Sequence, residues 1–169
     1  MFEIGQYVIC GNKGACVIED IATLDINGVD KGKKYYVLKP LYVSSSTVYV
    51  SVDAPLSMRK ILTGQEALQL IKKIPEISGI EIQNERLVEQ DYKKCLKAGN
   101  SEMLVKLIKT IYLRKQNRLE AGRKETAVDS KYFKIAEDML YGELAVALQM
   151  ERKEVVKYIT EQLQNMSLV

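Results

Sequence analysis

With 169 residues, 47% of them hydrophobic, the chain is long enough for one medium or two small domains and apolar enough to bury a core. Twenty-five Lys and Arg against 22 Asp and Glu leave a net charge of +3, too little for a polyanion-coating protein and the wrong sign for an acidic tail. There is no histidine, which excludes Ser-His and Cys-His nucleophile pairs, histidine general bases and the commonest zinc ligand.

Cys10, Cys16 and Cys95 are an odd, scattered set without a CxxC pair. They fit neither a disulfide framework nor a zinc site, so no metal is expected and a reducing cytoplasm is the simplest compartment. No run approaches the ~20 apolar residues of a membrane span. The start Met1-Phe2-Glu3-Ile4 is acidic and then strand-like, unlike a signal peptide.

Up to about Leu62 the pattern is that of strands. Gln6 to Cys10 reads as the first, followed by the turn Gly11-Asn12-Lys13-Gly14, and Ala15 to Ile21 as the second. Asn27-Gly28 favours a type I′ hairpin turn between its flanks. Tyr35 to Leu38 makes a third strand, ending near Pro40, and Thr47 to Val52 a fourth after the loop Ser44-Ser45-Ser46. Short strands at about ten-residue spacing predict a small, bent antiparallel sheet or barrel, whose modest core calls for docking on a neighbour.

From Thr63 the period becomes helical. Thr63 and Glu66 have capping-box spacing, and Pro75 and Gly79 close the first helix. A second runs roughly from Glu85 to Lys97 and ends at Gly99-Asn100. A third begins at Ser101 with Leu104, Leu107, Ile108 and Ile111 inward. A fourth spans roughly Ser130 to Met150, and a last carries Val156, Ile159 and Leu163. The fold class is therefore α+β, with a β domain over 1–63 and an all-helical domain over 64–169. Ile74 to Asn84 is the expected hinge or connector.

Charge is informative only locally. Between 106 and 134, nine basic residues (Lys106, Lys109, Arg114, Lys115, Arg118, Arg123, Lys124, Lys131, Lys134) face three acids (Glu120, Glu125, Asp129). Such a patch suits a few phosphates, although a solvated helix face has the same composition. No catalytic set emerges. Gly11-x-x-Gly14 lacks the third glycine and the helix of a dinucleotide fingerprint and reads as a strand-to-strand turn. Glu137, Asp138 and Glu143 read as a solvated helix face. Cys10 and Cys16 read as buried small apolar residues.

Several segments, taken in order, resemble the CarD family of bacterial regulators. They are Phe2-x-x-Gly5-Gln6-Tyr7-Val8 with Lys13-Gly14, Tyr35-Tyr36-Val37-Leu38-Lys39, and Thr47-Val48-Tyr49-Val50, with Ser51 in place of a proline. Further on come Leu113-Arg114-Lys115-Gln116-Asn117-Arg118-Leu119 and Tyr141-Gly142-Glu143-Leu144-Ala145-Val146-Ala147-Leu148. The resemblance implies a Tudor-like N-terminal domain that docks on the β subunit of bacterial RNA polymerase, here through Leu24, Thr47, Val48, Tyr49 and Val50. It implies a helical domain that meets promoter DNA, mainly through its backbone, with Arg86, Arg114, Lys115, Arg118, Arg123 and Lys124 as contacts. The implied activity is modulation of open-complex stability, not catalysis, with no cofactor and no small-molecule substrate. Where the family often carries a wedge tryptophan this chain has Glu85, which repels phosphate. The alternative reading is a polymerase-binding adaptor with little DNA contact of its own.

Overall fold

The computed structural model describes residues 1–43 and 46–167. The Ser44-Ser45 part of the expected loop lies outside the described residues. Five strands, β1 (Tyr7–Cys10), β2 (Gly14–Thr23), β3 (Lys34–Pro40), β4 (Val48–Ser51) and β5 (Met58–Lys60), form one antiparallel sheet in the order β4-β3-β2-β1-β5. The sheet is open, not a barrel, so β4 and β5 are its two opposite edges. A one-turn 3-10 segment (Gly11–Lys13) joins β1 to β2, with Gly11 and Gly14 at φ 43° and 72°, which is what the two glycines supply. A bulge between Ile18 and Asp20 bends β2.

The expected type I′ hairpin at Asn27-Gly28 is not formed. β2 and β3 do pair, but their register closes at Thr23↔Lys34, leaving a long loop. Within it Val29 N–H donates to Ile26 O (3.1 Å) and only Gly28 has positive φ, the signature of a type II turn, whereas type I′ needs positive φ at both central residues. β5 was not among the strands expected. It is three residues long, and its partner β1 lies some fifty residues upstream: Ile9↔Arg59.

One face of the sheet carries its own core of Val8, Cys10, Cys16, Ile18, Tyr36, Leu38 and Val50. Phe2 closes it, its ring meeting Tyr36 edge-on at 5.9 Å while its N–H donates to Tyr36 Oη (3.0 Å).

The helices are α1 (Gly64–Lys73), α2 (Val88–Ala98), α3 (Ser101–Glu120), α4 (Ala127–Ala147) and α5 (Arg152–Ser167). Thr63 and Glu66 form the complete capping box. Gly99 takes the left-handed conformation that ends α2, and the Asn100 side chain caps α3. α4 starts three residues before the expected Ser130, because the Thr126 hydroxyl accepts from Asp129 N–H. These helices enclose a second core that includes Tyr92, Leu104, Leu107, Ala136, Leu140 and Leu144.

The connector is pinned rather than a hinge. Lys109 Nζ donates to Ile74 O and, at 2.7 Å, to Ile77 O, while Thr110 Oγ1 accepts from Ile80 N–H (2.8 Å). A Cβ on Gly79 would stand 2.6 Å from that Thr110 oxygen, so only glycine allows the approach.

The sheet domain meets α4 at Gly142, beside the Tyr42 ring, and at Glu143, beside Arg59. A Cβ on Gly142 would stand 2.9 Å from Tyr42 Cδ2, so the missing side chain lets the Tyr42 ring in, with Arg152 stacked above it at 5.3 Å. Glu143 is fully buried, which corrects its expected place on a solvated face. It holds Arg59 of β5 in a bidentate pair (Nη1–Oε1 and Nη2–Oε2, 2.7 Å each) and accepts from Ser101 Oγ (2.8 Å) and Leu62 N–H (3.1 Å). One carboxylate thus ties the β5 edge, the start of α3 and the C-terminal part of α4 together.

Candidate functional site: a free sheet edge and a basic helical tip

The two edges of the sheet differ in kind. β5 is tethered to the helices by Arg59, which also donates from Nε to Gly99 O. β4 pairs with β3 alone (Val37↔Tyr49, Tyr36↔Val50, Leu38↔Val48) and, among the described residues, with no strand on its other side. Val52 N–H donates to Lys34 O (3.0 Å). Period two then turns the backbone groups of Val48 and Val50 toward β3, and those of Tyr49 and Ser51 outward. An unpaired row of this kind is a template for a partner strand.

The residues expected to meet polymerase divide accordingly. Tyr49 is about half exposed (47%) on the outer face, and Thr47 is exposed beside it. Val48 and Val50 point their side chains to the inner core, opposite Leu38 and Tyr36, and so offer no side chain for contact. Leu24 does not join this patch. It follows Thr23, which is level with Lys34 and, beyond it, Val52. That is about four strand steps from Tyr49, on the order of 13 Å along the sheet at ~3.3 Å per residue.

The basic residues divide more sharply. Arg114 is largely buried (16% exposed) and turned inward, which removes it from the expected phosphate set. Its Nη1 and Nη2 pair with Glu85 (2.5 and 2.9 Å) and its Nε donates to Asp129 Oδ2 (3.0 Å). Asp129, itself fully buried, accepts in turn from Tyr92 Oη (2.7 Å). Hydrogen bonding to Arg114 holds the Glu85 carboxyl below its usual range, and the paired carboxylates raise the already high pKa of Arg114, so the guanidinium stays charged. Burial, helped by the hydrogen bond to Asp129, raises the Tyr92 phenol, which stays protonated as the donor.

Lys115 lies 3.7 Å from Glu125 and is partly offset by it. Arg118 turns Nε to Lys124 O (2.7 Å), which shapes the loop after α3, and its other nitrogens remain. Arg123 and Lys124 in that loop are exposed, as is Arg86 in the short 3-10 turn Glu85–Leu87 ahead of α2. The exposed Leu87 follows directly. The outward basic set is therefore Arg86, Arg118, Arg123 and Lys124. No charge count distinguishes them from Arg114. Thr126-x-x-Asp129, a capping-box spacing, was the one local sign that Asp129 sits at a helix start and is not free to face solvent. Helical period places Tyr92 inward with Val88 and Cys95, but nothing local marks the partner of its hydroxyl, nor Arg59 or the burial of Glu143.

Among the described residues no helix is long and apolar enough to cross a membrane. Comparison with curated proteins gives no match. Residues 2–62 match the family model described as the CarD-like/TRCF RID domain, an RNA polymerase-interacting domain. The match covers β1 to β5, including the free edge, and stops before α1.

Proposed function

We propose, from the match of residues 2–62 to the CarD-like/TRCF RID domain, that the protein is transcription-related and acts by interacting with RNA polymerase. It is a non-catalytic bacterial transcription regulator. It pairs the β4 edge with the polymerase β subunit, lays its helical half on promoter DNA and modulates the stability of the open complex. The observation that carries the reading is the outward backbone of Tyr49 and Ser51 on an unpaired edge of the matched domain. Tyr49→Pro tests it. It removes one outward N–H while leaving the Val48, Val50 and Val52 bonds to β3 in place, the position where an edge strand tolerates proline. Binding to polymerase core should fall about tenfold, the roughly 1–3 kcal/mol that a partner carbonyl left without its donor costs, with unchanged circular dichroism. Undiminished binding would refute the docking edge.

On DNA, Arg86, Arg118, Arg123 and Lys124 supply backbone contacts with little base readout, and Leu87 supplies the apolar side chain nearest the place of the absent tryptophan. Four contacts give a slope of about −3.6 in log affinity against log salt. Affinity without polymerase is low because so few phosphates are neutralised, and tethering raises the local concentration. The adaptor reading has one observation in its favour: Glu85 neutralises Arg114 where the wedge would stand. A slope near zero for the whole chain decides for the adaptor.

A further inference from the structure

The β5 edge, opposite the proposed polymerase edge, borders a cleft of about 790 Å³ between the Pro55–Ser57 turn, α2 and α4. Its walls are apolar: Leu56, Leu96 and Ile135 face it. Leu56 is 94% exposed, an unusual state for a leucine, on a turn fixed by Met58 N–H donating to Pro55 O (3.0 Å). The rim is cationic. Lys93, Lys97 and Lys131 border it, and no carboxylate lines it. Lys93 leans on Glu89 at 3.8 Å, but Lys97 and Lys131 have no carboxylate within ion-pair distance among the described residues. Lys131 sits over the Tyr132 ring at 5.4 Å, and the Glu89 carboxylate lies close enough to feel its charge. A second groove, about 850 Å³ between β5, α1 and α3, carries Lys60, Lys73 and Lys106 but also Glu66 and Glu102, so its charge is mixed.

An apolar floor with a predominantly cationic rim, its one nearby carboxylate Glu89 already engaged by Lys93 and Tyr132, selects its occupant. Nucleic acid backbone has charge without an apolar anchor, and a neutral apolar ligand leaves the lysines unused. We infer that this cleft binds an acidic peptide segment of a partner protein, one bulky apolar side chain seated against Leu56, Leu96 and Ile135 and flanking carboxylates paired with Lys97 and Lys131. Because β4 and β5 are opposite edges, the cleft stays open when the β4 edge is paired, so the site is additional to the proposed polymerase contact and does not rest on it.

The test uses the full chain and an array of synthetic decapeptides, each with a single Leu or Phe flanked by two to five Asp or Glu in all placements. Two control arrays replace the acids by Lys or the anchor by Ser. Preference for the acidic, anchored set by about tenfold or more over both controls is expected, a conservative value for burying one large side chain. Leu56→Ser should remove most of that preference. Lys97→Glu/Lys131→Glu, at two exposed positions and expected to keep the wild-type circular dichroism, should turn it toward the basic array. No preference among the three arrays, or preference that survives the double reversal, overturns the inference. So does equal binding of a single-stranded oligonucleotide lost in the same variant, which would assign the cleft to nucleic acid. Tyr49→Pro is expected to leave the array result unchanged, which separates this site from the β4 edge.

Discussion

Glu143 is where one substitution reports most on the architecture. Glu143→Ala removes a fully buried carboxylate and leaves three elements without their common acceptor: the Arg59 guanidinium, the Ser101 hydroxyl and the Leu62 N–H. Breaking a buried pair by removing one partner costs about 3–5 kcal/mol. Arg59 is 28% exposed and keeps Lys60 O as an acceptor, which places the cost toward the lower end, about 3–4 kcal/mol. For a chain of this size each kcal/mol moves the unfolding midpoint by about 2–4 °C, so a fall of roughly 6–16 °C is expected by circular dichroism at neutral pH. The decisive comparison is Arg59→Met/Glu143→Leu. Replacing both ions by apolar groups of similar size is often near neutral, so the double variant should be more stable than Glu143→Ala alone. Hydrogen exchange at Leu62 should quicken in the single variant, because its N–H loses its partner. A midpoint within about 2 °C of wild type for Glu143→Ala, a shift of under about 1 kcal/mol, would refute the argument that this carboxylate fastens the sheet to the helices.

Three further outcomes follow from the same geometry. Arg114→Ala should destabilise by about 3–5 kcal/mol in denaturant titration, because it strands the buried Asp129, while the salt slope for DNA stays at about −3.6; a lower slope with unchanged stability would return Arg114 to the phosphate set. Glu85 is held below its usual 4.5 by the hydrogen bond to Arg114, so its contribution is present above that pH and is lost as pH falls through the lowered value. Wild type should exceed Glu85→Gln in thermal midpoint at pH 7, by little because Glu85 is mostly exposed, and the gap should close below pH 4.5; a gap that persists there would contradict the pairing. Burial raises the thiols of Cys10 and Cys95 and pushes Cys16 up to about 12, so native protein should resist iodoacetamide at pH 8 and react at all three cysteines in guanidinium; rapid native labelling of any one would show it accessible.

Reading the sequence alone located what depends on neighbours a few residues away. The Thr63/Glu66 box, the Gly99-Asn100 break and the Gly11-x-x-Gly14 turn are local geometry, and each stands where spacing put it. The alternation of β4 likewise separated Tyr49 from the core valines once a face was known. What sequence could not assign is which charged groups face inward. Arg59 meets Glu143 across 84 residues and Arg114 meets Glu85 across 29 and Asp129 across 15. No period of 2 or 3.6 encodes such a partner, so an arginine in a basic run and a glutamate on a helix carry the same local signature as solvent-facing charges. β5 escaped for the same reason: three residues have no measurable period, and only pairing with β1 makes them a strand. Local hydrogen bonding and side-chain volume determine the elements. The long-range compensation of buried charge, which exists only once the chain has closed on itself, decides which basic residues remain for a partner.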